Sequence, residues 1–131
     1  SIGMRLLVDS HILLWALDNN PKLPKAARRL LSDSGNEVFC SVASLWEFQI
    51  KHMLHPSIIA NARTLFGFCI MSGYGVLNVT ASDVFFISTL KDVHKDPFDR
   101  ILLSQAKASG FKFLTADKVF ERYEEDCVVL V

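Results

Sequence analysis

Apolar positions along the chain alternate between two rhythms, one strand-like and one helical. Arg5–Val8 is a compact run of the β type, and His11–Leu17 follows with helical spacing. Asn19-Asn20-Pro21 breaks that pattern, and Pro24–Leu31 then places Ala26, Ala27, Leu30 and Leu31 at helical intervals. Ser34-Gly35-Asn36 is a turn signal ahead of a short second strand, Val38–Cys40. Ser41 is placed to cap a helix over Val42–Leu54, which stops before Pro56. The spacing predicts a further amphipathic helix over Ser57–Met71, ended by Gly73 and Gly75, and a third strand over Val76–Val79. Thr80-x-x-Asp83 has the form of a capping box for a helix reaching Leu90. Pro97–Ser109 predicts a helix closed by Gly110. Lys112–Leu114 and Val128–Val131 supply the fourth and fifth strands, with a short helix near Val119–Tyr123 between them.

Strands alternating with helices predict a parallel sheet covered on both faces. The chain has no internal repeat, low-complexity tract or linker, and 131 residues with half of them apolar make one domain with a real core, expected over residues 4–131. Ser1-Ile2-Gly3 ahead of Met4 is read as an extraneous remnant and set aside. In open parallel sheets ligands bind beyond the carboxyl ends of the strands, where strand order reverses. Asp9 follows the first strand and Asp117 the fourth, so neighbouring first and fourth strands would aim both carboxylates into one crevice.

Charge narrows the choice of partners. Fourteen basic residues balance fourteen acidic ones, leaving no global field for a nucleic acid or an anionic membrane. A polyanionic partner must therefore be held by local patches and a metal. No apolar run approaches a membrane span, and no basic segment followed by an apolar stretch opens the chain. Cys40, Cys69 and Cys127 stand singly in apolar surroundings, which predicts buried reduced thiols and a cytoplasmic protein.

Four acids carry the candidate chemistry. Asp9 fits a helix cap and a ligand equally well. Glu47 lies in the middle of its helix and caps nothing. An i,i+4 pair with Lys51 competes with a functional role, while Ala43, Ile50 and Leu54 share its row and predict burial. Asp96-Pro97 is a helix-start signal, which leaves Asp99 in the first turn, where an acid suits the helix dipole. Asp117, after Thr115-Ala116, is again a possible cap. Gathered at one sheet edge, such carboxylates would repel one another unless a hard divalent cation neutralised them. His11, His52, His55 and His94 lack zinc-site spacing, and no phosphate-binding glycine loop or Ser or Cys nucleophile pattern occurs. Lys22, Lys25, Arg28 and Arg29 form a small basic helix face, and Trp15, Trp46 and Phe48 are read as core or partner contacts.

These residues resemble the PIN-domain family, and within it the VapC-type toxin ribonucleases. The resemblance is carried by Arg5-Leu6-Leu7-Val8-Asp9-Ser10, by Ser41-Val42-Ala43-Ser44-Leu45-Trp46-Glu47, by Asp96-Pro97-Phe98-Asp99-Arg100 and by Leu114-Thr115-Ala116-Asp117, in that order. Ser10 stands where the family usually has threonine and keeps the hydroxyl. The resemblance implies a three-layer α/β/α sandwich on a five-stranded parallel sheet ordered 3-2-1-4-5. It also implies Mg²⁺- or Mn²⁺-dependent endonucleolytic cleavage of RNA, a cognate antitoxin protein and a homodimer. In that reading Asp9, Glu47, Asp99 and Asp117 are the catalytic acids that bind the metal directly or through water. Ser10 and Thr115 orient carboxylates or phosphate oxygens, and the ion activates the attacking water. Two rivals remain: a phosphoacceptor receiver-like domain, which would show an acidic pair after the first strand and a Lys-Pro dipeptide, both missing here, and a catalytically silent binding module.

Overall fold

The computed structural model describes residues 3–131; of the presumed remnant, Ser1 and Ile2 lie outside the described residues. Five strands form one sheet: β1 (Arg5–Val8), β2 (Glu37–Ser41), β3 (Gly75–Leu77), β4 (Lys112–Thr115) and β5 (Val128–Leu130). Their order is β3-β2-β1-β4-β5, and every neighbouring pair is parallel. The helices are α1 (Ser10–Leu17), α2 (Lys25–Ser32), α3 (Val42–Leu54), α4 (Ala62–Met71), α5 (Ala81–Phe86) and α6 (Pro97–Ser109). Two 3₁₀ segments, Ile87–Thr89 and Lys118–Tyr123, complete the chain.

Successive strand residues point to opposite faces, so β1 feeds two cores. Leu6 and Val8 join Ile12 and Leu13 of α1, Ala27 of α2, and Leu65 and Cys69 of α4 on one face. Leu7 joins Leu102, Leu103 and Ala106 of α6 with Phe113, Phe120 and Tyr123 on the other. α3 bridges the two, with Ala43 in the second cluster and Phe48 in the first. The result is the expected three-layer α/β/α sandwich with β1 at its centre, paired to β2 on one side and β4 on the other. Among the described residues no helix is long and apolar enough to cross a membrane. Cys40 and Cys69 are buried free thiols, and Cys127 is a half-buried one.

Three elements differ from the sequence expectation by more than one residue at an end. The helix predicted over Ser57–Met71 begins only at Ala62, because the Asn61 side chain accepts from Thr64 N at 2.8 Å and caps it there. β3 covers Gly75–Leu77 rather than Val76–Val79, since pairing with Phe39–Ser41 of β2 sets its span. The α5 helix stops at Phe86 and tightens into 3₁₀ form before Leu90. Its capping box forms as read, with Thr80 N donating to Asp83 Oδ2 at 2.8 Å and Asp83 N donating to Thr80 Oγ1 at 3.3 Å.

Gly110 ends α6 in the left-handed region at φ 72°. A Cβ there meets no neighbour, so only the backbone conformation opposes a side chain. We expect Gly110→Ala to cost about 1–2 kcal/mol in a denaturant melt, with the fold unchanged.

Candidate active site

The pairing of β1 with β4 places the first acid. Asp9 N donates to Leu114 O at 2.9 Å, continuing the ladder one residue past β1. That backbone sits at the N-terminus of α1, yet the carboxylate makes no capping bond to it. Instead Thr115 Oγ1, at the end of β4, donates to Asp9 Oδ2 at 2.7 Å, while Oδ1 is buried without a partner. Asp9 is only 3% exposed. Burial is the main reason its carboxyl is pushed from 3.8 to about 7. The Asp99 and Glu47 charges raise it further, and the Thr115 hydrogen bond and the nearby Ser10 backbone oppose them.

Glu47 reaches the same region from α3 and is 5% exposed. Ser41 caps this helix, accepting from Ala43 N at 3.0 Å, so Ser44 lies inside it as expected. The Ser10 hydroxyl meets Ser44 Oγ at 2.8 Å rather than a carboxylate, which ties the start of α1 to α3 one turn before Glu47. Glu47 Oε2 accepts from Lys51 Nζ at 2.9 Å, so the local pair weighed from the sequence does form. It satisfies only half the carboxylate, because Oε1 is buried and unpartnered. The expected burial of this helix row holds at Ala43 and Glu47 and fails at Ile50 and Leu54, which are exposed.

Asp96 and Asp99 divide their roles as the helix-start pattern suggested. Asp96 caps α6, accepting from Phe98 N at 2.9 Å and Asp99 N at 3.3 Å. Asp99 is left for another task, with its side chain 18% exposed and Oδ2 held by His94 Nε2 at 3.0 Å. Burial raises its carboxyl above the ordinary range; the His94 hydrogen bond opposes this, and Asp96 and Glu47 add to it. We expect Asp96→Ala to lower stability by about 1 kcal/mol in a denaturant midpoint and to leave divalent-cation binding unchanged.

Asp117 stands apart from this group. It is exposed, and its Oδ1 accepts from Val119 N at 3.0 Å, capping the 3₁₀ helix that follows β4. It lines a cleft of about 280 Å³ together with Asp9, His11, Trp15 and Ala116, at the rim of the site. The half-buried Trp15 therefore borders the acidic cleft, whereas Phe48 is core and Trp46 is exposed.

The fold thus gathers Asp9, Glu47 and Asp99 into mutual electrostatic range and sets Asp117 beside Asp9. Among the described residues no three His, Cys, Asp or Glu side chains are close enough together to enclose a cation. Three of the acids are instead turned toward substitutes, namely Lys51, His94 and the Val119 N–H. The remaining frustration is local. Among the described residues, Asp9 Oδ1 and Glu47 Oε1 are the buried side-chain polar atoms without a hydrogen bond. Both are hard oxygen donors, the type Mg²⁺ and Mn²⁺ select. In donor type, though not in the spacing of three ligands, the residues fit such an ion. Two further residues join this group: His94, which reads in the sequence as a generic histidine, and Tyr123, whose hydroxyl meets His94 Nδ1 at 2.5 Å. Neither has a periodic signal, because His94 lies five residues before Asp99 across a proline and Tyr123 lies far downstream.

Comparison with known proteins agrees with this fold. A search among curated proteins returns no match. Among solved structures, a chain of the VapBC2 complex of Rickettsia felis bound to a promoter DNA fragment superposes with a TM-score of 0.70 at 18% identity, covering 98% of each chain. A chain of the DNA-bound VapBC of Salmonella typhimurium gives 0.69 at 15%, covering 96% of this chain and 97% of its own. VapC20 of Mycobacterium tuberculosis, a toxin that cleaves the sarcin-ricin loop, gives 0.57 at 16%, with 82% and 85% covered. At such identities the likeness is one of fold. The family model for the PIN domain matches residues 6–126, which take in four of the five strands and all four acids, and the chain belongs to the PIN domain family.

Proposed function

We propose that the protein is a divalent-metal-dependent endoribonuclease, a single domain over residues 4–131 acting as the toxin of a toxin–antitoxin pair. The observation that carries this is the pair of buried, unpartnered carboxylate oxygens, Asp9 Oδ1 and Glu47 Oε1, beside Asp99. The solved relatives with toxin–antitoxin names support the biological setting.

In this reading Asp9, Glu47 and Asp99 hold Mg²⁺ or Mn²⁺, and Asp117 contributes from the cleft rim, directly or through water. Once bound, the ion polarises the scissile phosphate and lowers the pKa of an attacking water. The chain's own residues orient that chemistry. The Thr115 hydroxyl fixes Asp9, and the Ser10–Ser44 contact fixes the distance between α1 and the Glu47 turn of α3. The exposed Lys22, Lys25, Arg28 and Arg29 are available to RNA phosphates as a local patch, which a neutral chain requires. The exposed apolar side chains Trp46, Ile50, Met53, Leu54, Val84 and Phe85 suit contact with an antitoxin and a second copy in the cytoplasm. The receiver-like alternative loses its footing on topology, since receiver sheets run 2-1-3-4-5 and this one does not.

Purified protein should cleave single-stranded RNA when Mg²⁺ or Mn²⁺ is present and stop when EDTA is in excess. Undiminished cleavage by a homogeneous sample in EDTA would sink the proposal. Tight Mn²⁺ binding without cleavage of any RNA would favour the silent module.

A further inference from the structure

We propose that Arg100, Tyr123 and His94 form a directional hydrogen-bond relay that fixes Asp99, making His94 a positioning residue for the metal site; this rests on the metal-dependent reading above. The direction follows from donor chemistry. A guanidinium can only donate. That of Arg100 is anchored on Lys91 O at 3.0 Å, with longer contacts to His94 O and Ile87 O, both at 3.5 Å. Its Nη1 also donates to Tyr123 Oη at 3.2 Å, so that oxygen serves as the acceptor there. The single hydroxyl proton of Tyr123 then has two possible acceptors, His94 O at 3.4 Å and His94 Nδ1 at 2.5 Å. The shorter bond wins, and with Nδ1 accepting, the neutral ring carries its proton on Nε2. That nitrogen donates to Asp99 Oδ2 at 3.0 Å.

Packing holds the relay rigid. Tyr123 is buried, and the His94 ring stands edge-on to both Tyr123 and Phe120, with centroids 5.5 and 5.8 Å away. The imidazole therefore cannot turn without losing both hydrogen bonds. Asp99 keeps Oδ2 occupied, while its Oδ1 makes no hydrogen bond among the described residues and remains for the ion. Tyr123 belongs to the 3₁₀ helix whose start Asp117 caps, so one short element links two of the acidic segments. A histidine as base is not required, because its Nε2 proton is committed to the carboxylate.

The test uses the full chain with Mn²⁺ as the probe. Free Mn²⁺, counted by electron paramagnetic resonance, gives the affinity of the wild type and of His94→Leu, His94→Gln and Tyr123→Phe. His94→Leu should bind Mn²⁺ about 10–100-fold more weakly, the usual cost of removing a partner that orients a ligand. His94→Gln, whose amide can donate to Asp99 and accept from Tyr123, should recover most of that loss. Tyr123→Phe deletes one oxygen far from the ion and should still weaken binding measurably. Nitrogen NMR of the metal-free wild type should show His94 protonated on Nε2 and bare on Nδ1, an observation that needs no variant to fold. Unchanged affinity in both His94→Leu and Tyr123→Phe, or a proton on Nδ1 alone, would overturn the relay while leaving the nuclease reading intact. A wild type that binds no Mn²⁺ would overturn the metal reading, and the relay's purpose with it.

Discussion

Asp9→Asn should lose RNA cleavage by more than about 100-fold while its metal-free form becomes more stable at pH 8. Removing a group that merely orients a ligand costs roughly 10–100-fold, and a direct ligand costs more. The gain in stability has a separate origin. At pH 8 the wild-type carboxylate is ionised, only 3% exposed, and near the charges of Asp99 and Glu47. Asparagine keeps the shape and can still accept from Thr115, but it carries no charge to bury. Initial cleavage rates with Mn²⁺ and denaturant midpoints in EDTA separate the two effects. An active Asp9→Asn protein, or one that loses rather than gains metal-free stability, would return Asp9 to a structural role.

The second large effect is the pH dependence of folding. The folded-state carboxyl of Asp9 stands at about 7 against an ordinary 3.8, so between those values the folded protein keeps a proton that the unfolded chain releases. Stability therefore falls as pH rises through this window, and the raised carboxyl of Asp99 acts in the same direction. The Asp9 contribution is on the order of 4 kcal/mol at most. Divalent cation should oppose the trend, because it binds the ionised form and competes with the proton. At a concentration about 100 times its dissociation constant the ion adds roughly 2.7 kcal/mol. Thermal unfolding from pH 4 to pH 8, with EDTA and with Mn²⁺, should give curves that meet at the acid end and separate as pH rises. Parallel curves would mean that no carboxylate near the core meets the ion, and Asp9→Asn should flatten the EDTA curve.

The sequence made much of this site legible, and where it did not there are physical reasons. The strand ends that place Asp9 and Thr115 follow, to within a residue, from short continuous apolar runs that stop at polar residues, a local signal. The separation of Asp96 from Asp99 is equally local, because the cap and the following proline are adjacent. Helix starts were less legible: the amphipathic spacing predicts α4 from Ser57, whereas the Asn61 side chain decides its start. Side-chain partners were the least legible. Nothing in periodicity says that Asp99 will hold His94, or that Tyr123 will close that ring from the far side of β4. Asp117 shows the opposite limit: its motif position is clear, yet its carboxylate turns to the Val119 N–H and caps a 3₁₀ helix.

The most direct test is diffraction at the manganese absorption edge from crystals of the wild-type protein grown with saturating Mn²⁺. The account predicts an anomalous peak at roughly 2 Å from Asp9 Oδ1 and Glu47 Oε1, with Asp99 contributing and the two orphaned oxygens at last satisfied. No peak there, with Glu47 still paired only to Lys51 and Asp9 Oδ1 still alone, would contradict it.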